Sequence, residues 1–232
     1  MWMWFLAAHA EPTAPPVVDE MHQRYGALTS ARDAVIDGDL AKVKTHATTL
    51  SDLGSDTSLP NDWRPYVARV NAAAQRLHDA TDLVGAAVGV ANVASACAEC
   101  HDALNGGPKL DHRDAVPPQK WTEGQNMPLH KWSADWLWLG LLANDDASWN
   151  RGAGELDKMP LVPKFEQAPP NGMRELEQGV YVIAGRARTV DDPNERAELY
   201  GQLLATCSQC HTQHRNLAPT TAPAPAAQEK KE

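Results

Sequence analysis

The sequence predicts an all-α chain built as two tandem four-helix bundles, and three observations carry that expectation. Apolar residues recur at helical spacing along most of the chain, and a set of marks recurs in the same order with a period near 110 residues. All four cysteines fall into two copies of one pentapeptide, each near the end of the last helix of its half. Short connections between successive helices suit an up-and-down bundle.

In the first half, residues 17–104, Val18, Met21, Tyr25, Leu28, Val35 and Ile36 mark an amphipathic helix that stops at Asp37-Gly38, where glycine favours a C-terminal turn. A second helix follows from Asp39, with Leu40, Val43, Ala47 and Leu50 on one stripe. Trp63, Tyr66, Val67, Val70, Ala74 and Leu77 form a third, with Asn61 or Asp62 expected as its cap. The fourth begins after Asp82 and carries Leu83, Val84, Ala87, Val88, Ala91 and Ala94 toward the first pentapeptide.

The second half, residues 126–214, opens with Trp132 to Leu142, apolar nearly all round, as in a helix buried on several sides. Such a helix is expected to pack against the other half as well as its own. The final helix is marked by Asp192 as cap, Pro193 in the first position and Glu195 where a capping box places it. Leu199, Leu203, Leu204 and Cys207 then follow.

The duplication rests on ordered marks. His22 and His130 stand 108 residues apart, Ala47-x-x-Leu50 and Ala153-x-x-Leu156 stand 106 apart, and Pro60-Asn61-x-x-Arg64 and Pro170-Asn171-x-x-Arg174 stand 110 apart. The two cysteine motifs share that last offset. Residues 105–125, with Gly106-Gly107-Pro108 and Pro117-Pro118, read as a linker. The Ala/Pro-rich residues 215–232 read as a disordered tail.

Residues 1–10 are apolar and end in Ala8-His9-Ala10, which suits a signal-peptidase cut before Glu11. The segment lacks a basic start and is far shorter than the ~20 residues that span a bilayer, so it reads as the remnant of a truncated signal. Export to a periplasm is the expected address.

The pentapeptides are Cys97-Ala98-Glu99-Cys100-His101 and Cys207-Ser208-Gln209-Cys210-His211. C-x-x-C-H reads as the attachment sequence of a c-type haem, so two haem c groups are expected. Two thiols add across the porphyrin's two vinyl groups, and the following imidazole is the iron's proximal ligand. On a helix the three side chains project at about 0°, 300° and 400°, from one face. A zinc site made of two C-x-x-C pairs gives no reason for the repeated histidine. A thioredoxin-like pair would need a preceding strand, and no β-rich run precedes either motif. Disulfides inside such short loops would be strained.

With 21 basic and 30 acidic residues, a formal net charge of −9, the chain is ill-suited to nucleic acid or to an anionic membrane surface. No stable membrane insertion is expected. A redox partner protein with a basic docking surface fits this charge, although an acidic surface also serves solubility alone.

A haem motif at the end of the last helix of a four-helix bundle resembles class II cytochromes c, the cytochrome c′ type, here present twice. The resemblance implies that the residue facing the distal side of each iron comes from the first helix of its bundle, which draws attention to Met21, His22, Met127 and His130. His22 and His130 are the preferred sixth ligands, since both precede their proximal histidines by about the same distance. Methionine ligation, which raises the reduction potential, and an open site of the kind that binds small gases in this family remain alternatives.

The function expected is therefore single-electron transfer by a carrier that is not an enzyme. Gas binding at an open haem is the rival, and di-haem peroxidase activity is disfavoured because no separate acid–base constellation is visible. His46, His78 and His112 read as surface or linker residues, and His214 as a neighbour of His211 able to reach a propionate. Trp63, Trp132, Trp136 and Tyr200 read as packing residues.

Overall fold

The structure is a computed structural model, and it describes residues 16–52, 59–112, 116–118, 127–158 and 172–217. The segments expected to be a signal remnant and a disordered tail lie outside the described residues, apart from the first few positions of the tail, which continue the last helix. Among the described residues there are eight α-helices and no strand.

Local chemistry sets the helix ends. Helix α1, Pro16–Ile36, closes where Gly38 takes φ 72° and Asp39 N–H donates back to Ala34 O at 2.9 Å, a left-handed C-terminal turn that satisfies a free carbonyl. The Asp39 carboxylate then accepts from Lys42 N at 3.0 Å and starts α2, Leu40–Asp52. Helix α5, Met127–Ala143, closes in the same way: Asn144 takes φ 47° and Asp145 N–H donates to Gly140 O at 2.9 Å. Asp145 accepts from Ser148 N at 2.7 Å and starts α6, Asp146–Leu156. Every pair of matching positions in these two turns is 106 residues apart.

Helix α4, Leu83–Ala103, is capped by Asp82 accepting from Gly85 N at 2.7 Å. Helix α8, Pro193–Leu217, is capped 110 residues later by Asp192, which accepts from Asn194 N and Glu195 N. Helix α3, Arg64–His78, departs from the expected cap. Its N-cap is Trp63, with no side-chain hydrogen bond, because a turn from Pro60 O to Trp63 N already leads into it and a proline in its first turn removes one donor. Helix α7, Met173–Ala187, is likewise entered through Gly172 without a side-chain cap.

Helices α1 to α4 pack each on the next, and α1 also touches α4; α5 to α8 repeat that order, with α8 touching α5. Between the two sets the broadest seam is α4 against α8, flanked by α4 on α5 and α1 on α8. Small residues permit that seam. A Cβ on Gly201 of α8 would stand 3.2 Å from Val88 Cα of α4, where the backbones pass closely. The apolar α5 meets α4, α6 and α8, so its all-round character is spent on three neighbours. Helix α4 is long and apolar enough to cross a membrane, yet Ala87, Val90, Ala91 and Ala94 are fully buried among its neighbours, as in a core helix.

Candidate functional site

Helices α4 and α8 each carry one pentapeptide in their C-terminal part, so each thiol pair and its histidine project from one helix face. All four thiols are free and part-buried. Burial pushes Cys97 and Cys207 up to about 12, and shifts Cys100 and Cys210 upward as well. Thiols held in this way are poor nucleophiles at neutral pH, which tells against thiol redox chemistry. Among the described residues no three His, Cys, Asp or Glu side chains gather into a metal-binding group, so the two pairs do not combine into a four-ligand zinc set.

The motif on α8 opens onto a cavity of about 630 Å³. Cys207, Cys210 and His211 form one wall, His130 and Met127 of α5 another, and Leu176 and Val180 of α7 a third. The remaining wall comes from the other set of helices, through Arg32, Ile36 and Asp37 of α1. His130 is buried, 8% exposed. Burial, with the nearby Arg215 and His214, holds His211 below the usual histidine value against the opposing pull of Asp37.

Arg32 brings a buried charge to this cavity. Its guanidinium lies 2.9 Å from Asp33 and 2.9 Å from Asp135 of α5, with Trp138 at 5.4 Å. Burial opposes the charge, but Tyr200, Asp33 and Asp135 outweigh it and raise the pKa above its ordinary value. Trp138 and Tyr200 pack ring to ring at 5.4 Å beneath it.

At the motif on α4, His101 Nδ1 lies 3.3 Å from Leu142 O of α5. A carbonyl oxygen only accepts, so Nδ1 is the donor of this contact and Nε2 is the nitrogen left for a ligand role. Gly107, at φ 93°, lets the chain fold back over the ring, since a Cβ there would stand 2.7 Å from His101 Cγ. Burial raises both Cys97 and Cys100, a rise opposed by the charge of Arg24 on α1, 6% exposed. Glu20 Oε1 accepts from its Nε and Nη2 at 3.1 and 2.7 Å.

The structure does not bring His22 to the first motif. His22 is exposed, and it lies about 200° around the helix from the buried Arg24. Both α1 and α5 are uninterrupted, so the offset of 106 fixed by their closing turns holds along their length. Burial follows that register: Ala27 and Ser133, Ala31 and Leu137, Arg32 and Trp138, Val35 and Leu141 are all buried. The counterpart of His130 is therefore Arg24, while His22 corresponds to the exposed Pro128 and Met21 to Met127. The offset of 108 between the two histidines reflects residue type and not structural position.

Arg24, Arg32 and Asp135 were not legible as site residues, although one signal was present: Arg24, Leu28 and Arg32 share a single helical stripe, placing two charges on a buried face. Of the other histidines, His46 is part-buried on α2 and His78 pairs with Asp79 at 3.2 Å. His112 docks on Asp145 at 3.3 Å and on the Trp136 ring at 5.8 Å, so this part of the linker is fastened to α5 and α6. His214 is exposed beyond His211. In comparisons with known proteins, no family model, no curated protein and no solved structure matches this chain.

Proposed function

We propose that this chain is an exported di-haem c-type cytochrome, two four-helix bundles of the class II type in tandem, that carries single electrons between redox partner proteins in the periplasm. The observation that carries the reading is the cavity on α8, where a thiol pair, the adjoining imidazole of His211 and a second, buried imidazole on the facing helix surround one apolar space. The donor set at the α4 motif fits as well, with Cys97, Cys100 and an imidazole whose Nε2 is left for a ligand role. Each haem, when bound, supplies an iron that alternates between ferrous and ferric states.

The chain's own residues hold and shelter that group. Cys207 and Cys210 would tether it to α8, His211 and His130 are the imidazoles that would hold its iron, and Leu176, Val180 and Leu203 would exclude water. Arg32, held by Asp33 and Asp135, keeps a positive charge in the cavity wall that would favour an acidic group bound there. At the first site Leu142 O orients the His101 ring and increases its basicity. The acidic surface, −9 overall, favours encounter with a basic partner.

The deciding experiment is expression in a host competent to mature c-type cytochromes, followed by a pyridine haemochrome assay and an intact mass. Two haems per chain, retained after acid–acetone extraction, are expected. A colourless chain of unmodified mass from that host defeats the reading.

A further inference from the structure

Resting on the haem reading above, we propose that the connector after the first motif is part of the first site, and that Gly107 and His112 are positioning residues that hold the His101 ring against the closing turn of α5.

Three contacts converge on that turn from the end of α4 and the connector. Leu142 O lies 3.3 Å from His101 Nδ1, Asn144 Nδ2 donates to Asp102 Oδ2 at 2.6 Å, and Asp145 Oδ1 lies 3.3 Å from His112 Nε2. The chain between them is pinned at both ends. At the near end Gly106 N–H donates to His101 O at 2.8 Å, and Gly107, at φ 93°, passes so close that a Cβ would stand 2.7 Å from His101 Cγ and 2.9 Å from Nδ1. At the far end the His112 ring packs on Trp136 at 5.8 Å. Arg151 fastens both of them, with Nη1 3.3 Å from His112 O and its guanidinium 4.9 Å from the centre of the Trp136 ring.

The second motif has a different neighbour. In the register of 106, Ile36, Gly38 and Asp39 stand in the places of Leu142, Asn144 and Asp145, and Gly38 offers no side chain. Asp39 is engaged by Lys42, one turn on. What packs on this turn is the end of α8, since a Cβ on Gly38 would stand 3.2 Å from Thr212 Oγ1 and 2.8 Å from Arg215 Nη2. The doubled fold gives each site the same turn, and among the described residues only the first carries a fastened connector.

A ring fixed in this way has a chemical consequence. An acceptor on Nδ1 strengthens Nε2 as a donor to iron, and a stronger donor favours the ferric over the ferrous state. The Gly107 backbone stands beside Nδ1 and His112 keeps it there, so Leu142 O is not exchanged for water.

The test uses the mature di-haem protein. Redox titration followed in the haem bands gives the two one-electron potentials. His112→Ala and Gly107→Ala are each expected to raise one of them, by about threefold to tenfold in the one-electron equilibrium, or about 30–60 mV, and to leave the other in place. His112→Gln, which keeps a donor for Asp145, should recover part of the shift. Trypsin supplies a readout independent of haem: cleavage after the exposed Lys109 should be slow in wild type and severalfold faster in His112→Ala. A connector that trypsin opens readily in wild type overturns the proposal, as does one released in His112→Ala while both potentials stay where they were. Equal movement of both potentials, the mark of general loosening, overturns it too. If Gly107→Ala does not fold, the two His112 variants decide. A chain without two haems in the pyridine haemochrome assay overturns the underlying reading, and this proposal with it.

Discussion

The guanidinium of Arg32, on α1, stands 2.9 Å from the carboxylate of Asp135, on α5, and so ties the first set of helices to the wall of the second site. Removing the cation takes from Asp33 its partner, while Asp135 keeps Lys131 at 2.6 Å. Arg32→Leu is expected to cost about 2 kcal/mol, less than for a fully buried pair because both acids are part-exposed, and Asp135→Asn about half of that. Urea unfolding of the holoprotein measures both, and an unchanged midpoint in Arg32→Leu would show the pair to be ornamental.

Two glycines should respond in opposite directions to the same added methyl. A Cβ on Gly140 would stand 2.5 Å from Trp149 N, a backbone atom that cannot yield, whereas one on Gly154 meets nothing within 4 Å. Gly140→Ala is expected to destabilise by about 2–3 kcal/mol, and Gly154→Ala, in the last turn of α6, to stabilise by about 0.5 kcal/mol. Thermal unfolding of the pair, measured side by side, checks the close approach of α5 and α6.

The Asp145 cap gives a stability that depends on pH with a definite sign. Burial raises its pKa, but the hydrogen bonds from Ser148 and the pairing with His112 outweigh that and leave it below the ordinary carboxylate value. An acid with a lowered folded-state pKa stabilises above its unfolded value, near 3.8, and loses that stability as pH falls through the folded one. Asp145→Ala is therefore expected to cost about 1 kcal/mol at neutral pH, and the gap from wild type should narrow below pH ~4. Unfolding midpoints at pH 7 and at pH 3 give the comparison.

Ligand substitution should separate the two histidines that the sequence placed together. If two haems are bound as proposed, His130→Gly should convert one iron from low spin to high spin, because it removes an imidazole from the facing wall of the α8 cavity. His22→Gln should change neither iron, since that side chain is exposed. A spectral change in His22→Gln and none in His130→Gly would reverse the assignment.

What could be read from the sequence follows the range of the interaction responsible. Gly38, Asp82 and Asp192 act within four residues of themselves, and the ends they set are where local chemistry places them. Asn61 and Asp62 carry the same cap chemistry, but the turn through Pro60 and the proline after Arg64 make it unnecessary, a competition that residue type alone does not reveal. The register of the two histidines was hard to read for a different reason. Offsets of 106, 108 and 110 were equally acceptable while connection lengths were free, and only the hydrogen bonds closing α1 and α5 select one for those helices. Arg32 was hidden because one of its partners, Asp135, comes from a helix distant in sequence.

The hydrogen bond between His101 and Leu142 O crosses from one set of helices to the other, as does the wall that Arg32, Ile36 and Asp37 lend to the α8 cavity. Each histidine motif is thus finished by the first helix of the opposite set. A shortened chain with only four of these helices would lack part of its own cradle, and only association with a twin, arm over arm, would restore it.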